Sequence, residues 1–147
     1  MAYYGADGLY FAIDDTAGTL RQISGLTSID GLPGEIEAAD STAIGDTVRK
    51  SHPTLYNVEF NIEGWYDDSA SVGSQTVLQA IWAEQQGSPT TDYTFEFGPE
   101  GSTTGMPKRT GQAKVMSYTE GGRVGELVNF RASFKAQTIT ITGTFST

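Results

Sequence analysis

The stretch 54-TLYNVEFNIEGW-65 places Tyr56, Val58, Phe60 and Ile62 on one parity and Asn57, Glu59, Asn61 and Glu63 on the other. Successive side chains of a strand point to opposite faces. A period of two therefore predicts a strand with an apolar face against a core and a polar face in water. Outward from this segment the same period recurs. Leu9, Phe11 and Ile13 alternate with Tyr10, Ala12 and Asp14, and Tyr93, Phe95 and Phe97 with Thr94 and Glu96. Ala113 and Val115 oppose Lys114 and Met116. Val128, Phe130, Ala132 and Phe134 oppose Leu127, Asn129, Arg131 and Ser133. In the last run Ile139, Ile141 and Phe145 oppose Thr138, Thr140, Thr142 and Thr144. With 18 glycines and many β-branched and aromatic residues, the chain reads as turn-rich and all-β.

One segment departs from this period. Between Ser74 and Gln86 the apolar residues Val77, Leu78, Ile81 and Trp82 form a single helical stripe. Ser74 suits an N-cap, Gly87 a stop, and Pro89 blocks continuation. The expected architecture is a β-sandwich or barrel flanked by one α-helix, as a single domain over residues 1–147. Three stretches read as loops: Asp14 to Gly18, the long Asp40 to Pro53, and Gly98 to Gly111. Long loops in compact domains are commonly functional.

A chain of 147 residues can bury a sizeable core without covalent staples. It holds no cysteine, which excludes disulfides and thiolate metal sites. Nothing resembles a basic-then-apolar leader or a long apolar run, so the expectation is a soluble chain with no signal peptide and no membrane partner. The net charge of −9 lies wholly in residues 1–74, which carry twelve acids and three bases. Such a chain repels phosphate, so a nucleic-acid-binding role is disfavoured.

The inventory for catalysis is poor. His52 is the only histidine and has no cysteine to activate and no Gly-x-Ser-x-Gly elbow to serve. The acid pairs Asp14–Asp15, Glu35/Glu37 and Asp67–Asp68 lack calcium-loop spacing and read as solvated turn carboxylates. Gly98 to Gly105 lacks the Gly-Lys-Ser/Thr ending of a phosphate loop and carries Glu100 where phosphate would sit. The expectation is no enzyme activity, no cofactor and no metal.

From Thr27 to Asp68 the order of features is more specific. The run 27-TSIDGLPGEIE-37 leads to 40-DSTAIGDTVRKS-51, then to the alternating strand and 64-GWYDD-68. With the helix and 97-FGPEGS-102, this order resembles the tail tube (major tail) proteins of long-tailed phages, over about Leu20 to Phe145. Where that family carries an aromatic or leucine in the loop, this chain has Ala43 and Ile44. The resemblance implies a structural, self-assembling subunit arranged in hexameric rings that stack into a tube. Its inner wall would be a continuous β-barrel, and a long loop would reach from ring to ring. The implied partners are further copies of the chain, the tape measure protein, tail-tip and terminator proteins, and DNA passing without specific binding. The implied location is the virion tail, with the host cytoplasm during assembly.

Within that picture, Asn57, Glu59, Asn61, Glu63, Thr138, Thr140 and Thr142 are candidates for the lumen wall. Acidic side chains there would keep phosphate from adhering. The loop at about 40–53 is the candidate ring-to-ring contact through Asp46, Thr47, Arg49, Lys50 and His52, with Arg49 and Lys50 able to pair with Asp14, Asp15, Asp67 or Asp68 of a neighbour. The alternative is a β-sandwich binding module of a tail-tip or minor tail protein, with Tyr3, Tyr4, Trp65 and Tyr66 as a platform for carbohydrate or host surface. A small hydrolase using His52 is a third reading with little support.

Overall fold

The structure, a computed structural model, describes Tyr3, Gly5 and residues 8–146. Among the described residues, nine strands and one helical segment follow in order. They are β1 (Tyr10–Asp14), β2 (Leu20–Gln22), β3 (Leu26–Asp30), β4 (Glu35–Asp40), β5 (Ser51–Asn57), β6 (Glu59–Trp65), a π-helical turn (Gln75–Gln79) leading into α1 (Ala80–Gly87), β7 (Tyr93–Gly98), β8 (Pro107–Gly121) and β9 (Asn129–Thr144). Seven strands form one antiparallel sheet in the order β2-β1-β7-β8-β9-β6-β3, and β4 and β5 form a separate two-stranded hairpin.

The sheet curls on itself as a half-barrel. In a flat sheet β1 and β6, four positions apart, would lie about 19 Å from each other. Yet the rings of Phe11 on β1 and Phe60 on β6 approach to 5.9 Å, and Phe60 also meets Phe95 of β7 at 4.9 Å. Phe60 and Phe134 sit directly opposite each other on β6 and β9 and stack at 5.0 Å. All four rings are buried, with Ile13, Ile62, Tyr93, Val115 and Phe130 around them. The apolar parity of the sequence thus becomes the concave side of one curled sheet.

The helical segment covers this concave side. Val77, Leu78 and Ile81 are buried in the core, and Trp82 packs against it half-exposed. The expected cap is absent. Ser74 is fully buried in helical conformation, and its hydroxyl accepts from the Asp67 N–H at 3.1 Å, so it anchors the incoming chain instead. Gly87 remains helical, and Ser88 closes the end through its N–H to the Gln85 and Glu84 carbonyls. Gln85 ties helix to sheet: its amide donates to the Thr91 carbonyl at 2.9 Å and its oxygen accepts from the Val115 N–H. Tyr93 donates to Glu84 at 2.8 Å, and burial first, then Glu84, pushes its hydroxyl pKa well above its ordinary value.

Gly64 shows why 64-GWYDD-68 begins as it does. A Cβ there would lie 2.5 Å from the Gly25 carbonyl oxygen and 2.9 Å from the Phe130 ring, because β3 crosses β6 at a bulge between Leu26 and Ser28.

Further expectations need correction. The run 54–65 is two strands that part at Val58. Val58, Phe60 and Ile62 are buried, but Tyr56 is 75% exposed. The loop read over 40–53 is trimmed at both ends: β4 ends at Asp40 and β5 begins at Ser51, leaving residues 41–50 as the loop and placing His52 and Pro53 in a strand. The supposed loop 98–111 is shorter, since β8 starts at Pro107. On β9, Ile141 is exposed at 45%, and Val128 lies just before the strand at 50%. No helix among the described residues is long and apolar enough to cross a membrane.

Phe60 carries the closure of the curl, so Phe60→Ala should cost about 3–5 kcal/mol. Denaturant titration of the unassembled protein, against a Glu37→Ala control on the exposed hairpin, measures this. A loss under about 1 kcal/mol would mean the sheet is closed by other contacts.

Candidate functional site

Two surfaces stand out, a projecting arm and a polar sheet face. The arm is the β4–β5 hairpin. Every residue of β4 is exposed, as is all of β5 except Asn57, which is half-buried opposite Glu35. The apolar side chains Ile36, Leu55 and Tyr56 are 52%, 71% and 75% exposed, and Ile44 and Val48 at the tip are also open to solvent. An isolated two-stranded hairpin is marginal in water. This one is anchored at its root, where Val58 is buried and its carbonyl accepts from the Ala136 N–H at 2.8 Å.

The tip is held by its own polar groups. Asp40 accepts from the Thr42 N–H at 2.9 Å and pairs with Arg49 at 2.7 Å. Asp46 accepts from the Ala43 N–H at 2.8 Å and pairs with Lys50 at 3.2 Å. The Thr42 hydroxyl takes the Lys50 N–H at 2.8 Å. Backbone N–H bonds, from Thr42 to Asp40 and from Ala43 to Asp46, are the leading cause that holds both carboxyls below their usual range, with Thr42, Arg49 and Lys50 adding to it. Arg49 and Lys50 therefore have partners within their own loop. Asp15 is held by Arg21, and Asp67 by Ser24 and Ser69. Thr47 at the tip and His52 opposite Ala39 are exposed.

The polar face runs along β6 and β9 as a cross-strand ladder. Glu59 pairs with Lys135 at 3.8 Å and Glu63 with Arg131 at 3.2 Å. Between them Asn61 accepts from the Ser133 hydroxyl at 2.6 Å and donates to Asp30 at 3.3 Å. The two acids of β6 are thus matched by two bases of β9, which leaves Asp30 as the one unmatched charge of this ladder and no surplus cation.

A bulge joins the threonine run to the same face. Ala136 lies opposite Ala113 but Thr138 lies opposite Gln112, so Gln137 is the extra residue. Without it Thr138 would share the buried side with Phe134. With it, Thr138 and Thr140 turn outward, Thr138 accepting the Gln112 N–H at 3.2 Å. Thr142 is exposed in a second irregularity between Thr140 and Gly143.

The structure gathers the named polar residues on these two surfaces. Tyr3, Trp65 and Tyr66 are exposed, yet no ring pairing joins them among the described residues, and Tyr4 lies outside those residues. Sequence reasoning missed Ile36, Leu55 and Tyr56. Length gave no signal, since β8 and β9 run longer than residues 54–65 without parting.

This architecture, a curled antiparallel half-barrel with one covering helix and a projecting hairpin, is the tail tube fold. Among solved structures it is similar to the tail of an empty gene transfer agent particle with C6 symmetry, at TM-score 0.72 and 14% identity, covering 96% of this chain and 100% of that one. It is also similar to the SPP1 tail tube, at TM-score 0.70 and 11% identity over 98% and 81% of the two chains. A PVC sheath–tube complex in the extended state, from an extracellular contractile injection system, matches at TM-score 0.66 and 9% identity over 94% and 90%. No protein-family model and no curated protein matches the sequence.

The tip network should order its loop without contributing to the core. Asp40→Ala with Asp46→Ala is expected to speed hydrogen exchange at the Thr42 and Ala43 amides at neutral pH, leaving core amides unchanged. Because both carboxyl pKa values are depressed in the folded chain, the same order is present above the ordinary aspartate value of about 3.9 and is lost as pH falls through the lower folded values. Unchanged exchange in the double variant would show that the loop is ordered by something else.

Proposed function

We propose that this chain is the structural subunit of a phage-type tail tube, acting by self-association and not by catalysis. The observation that carries the reading is the uncovered apolar arm on a tail tube fold. Ile36, Leu55, Tyr56, Ile44 and Val48 are exposed on one projecting hairpin, with Ile36 directly opposite Tyr56, and exposed apolar surface gathered on one element marks an interaction site. Six-membered rings are the proposed assembly, supported by the C6 symmetry of the gene transfer agent tail.

In this reading residues 1–147 act as one tube domain and the arm, including the loop near 40–53, bridges neighbouring rings. Ile44 and Val48 supply the contact, with Asp46, Thr47, Arg49, Lys50 and His52 around them. The face bearing Asn57, Glu59, Asn61, Glu63, Thr138, Thr140 and Thr142 lines the lumen. Its ion-pair ladder alters the expected physics: the wall would pass DNA because it offers no surplus cation to displace phosphate counterions, more than because it repels phosphate. Tape measure, tail-tip and terminator proteins are the proposed partners and the virion tail the proposed location, reached after assembly in the host cytoplasm.

Negative-stain electron microscopy of the purified protein, dilute and concentrated, tests the assembly. Rings or hollow tubes are expected, and a particle that stays monomeric even with a tail-tip initiator would remove the reading. Deleting residues 43–50 should leave a folded chain that cannot stack. Glu59→Lys with Glu63→Lys would put four bases on the ladder, and DNA ejection should slow markedly; ejection at the parental rate would take the ladder out of the lumen.

A further inference from the structure

The arm is not the only uncovered apolar feature, and the second lies at the other end of the molecule. Beneath the arm root a groove of about 230 Å³ is lined by Pro33, Ile36, Tyr56, Ile139 and Ile141, with Glu35 on its wall. The groove is mainly apolar, and Ile36, Tyr56 and Ile141 are exposed in it. Glu35 and, two residues on, Glu37 have no basic partner among the described residues.

At the opposite end, the β8–β9 connection 122–128 forms a sharp apolar tip. The Glu126 N–H bonds the Arg123 carbonyl at 3.0 Å, and Gly125 supplies the left-handed φ of +91° that this turn requires. Val124 at the apex is fully exposed, and Leu127 and Val128 are 65% and 50% exposed. Arg123 has no acidic partner among the described residues. Val128 hydrogen-bonds Tyr66 at the far end of β6, whereas Ile139 and Ile141 lie eleven and thirteen residues further along the chain. At strand rise this separates tip and groove by about 35 Å.

We infer that the tip 123–128 of one copy seats in the groove under the arm of the next copy, Val124 and Leu127 entering between Tyr56 and Ile141, with Arg123 facing Glu35 and Glu37. Two complementary patches at opposite ends make a heterologous contact, which propagates linearly instead of closing as a dimer. Charge selects this occupant over the arm tip, because Arg49 and Lys50 already hold Asp40 and Asp46 while Arg123 is unengaged. The inference rests on the tube reading and adds a second axial joint beside that of the arm tip.

The absence of native cysteine makes cross-linking clean. Full-length Val124→Cys and Ile141→Cys proteins, mixed under assembling conditions and at the highest soluble concentration, should form a 124–141 disulfide on mild oxidation, since that bond needs Cα atoms within about 7 Å. Val124→Cys mixed with Ile44→Cys should not. No bond at any concentration, or bonds mainly from 124 to 44 or 124 to 124, overturns the seat. Independently, Arg123→Glu should raise the concentration for half-assembly by about three- to tenfold, and Glu35→Lys with Glu37→Lys should restore it in the same chain. Failure of that restoration also counts against the pairing. Tubes without the 124–141 bond would sink the seat and leave the tube reading intact; the bond in linear chains lacking rings would do the reverse.

Discussion

The structure depends on the contact of Phe60 with rings from three other strands. β6 lies near one edge of the sheet and β1 near the other, and only a tightly curled sheet lets Phe60 touch Phe11, Phe95 and Phe134 together. That curl gives the helical segment a concave surface to cover. The Phe60–Phe134 stack also fixes the register of β6 on β9. A slip of one residue would turn every side chain over. It would separate Glu59 from Lys135 and Glu63 from Arg131, and it would move Val58, from which the arm departs.

The sequence was most informative where a residue's parity coincided with burial in its own core. Phe11, Phe60, Phe95 and Phe134 alternate with polar residues because one side of each strand is covered and the other wet, and the helix showed as the one break in that period. The β-rich class and its single helix were legible for this reason. Apolar parity alone could not say whether the chain's own core would do the covering. Tyr56 keeps the period of Val58, Phe60 and Ile62, but the chain leaves the sheet at Val58 and Tyr56 remains uncovered. At the bulge the period shifts: Gln137 inserts one residue, so Thr138, Ile139 and Thr140 keep the alternation of the last run but stand out of phase with Phe130, Ala132 and Phe134.

The polar residues chosen from sequence fall on two surfaces, but the pairs they form there were not legible in the sequence. Glu59 and Glu63 read as acids on a face, because their partners Arg131 and Lys135 lie some seventy residues away and no local rule links them. Arg49 and Lys50 read as bases in search of distant acids. The loop instead folds back so that Asp40 and Asp46 meet them, an arrangement set by backbone N–H groups that any sequence would supply.

The arm also has a kinetic side. It belongs to the half of the chain that holds the entire net charge of −9. Copies repel at the separations where charge acts, about 8 Å at physiological ionic strength, whereas apolar contact acts only on touching. Repulsion slows encounter, and an apolar seat slows departure. In the proposed assembly, a chain built this way would tolerate high concentration as free subunits yet hold firmly once joined, and the same two opposing forces would set how strongly its joining responds to salt.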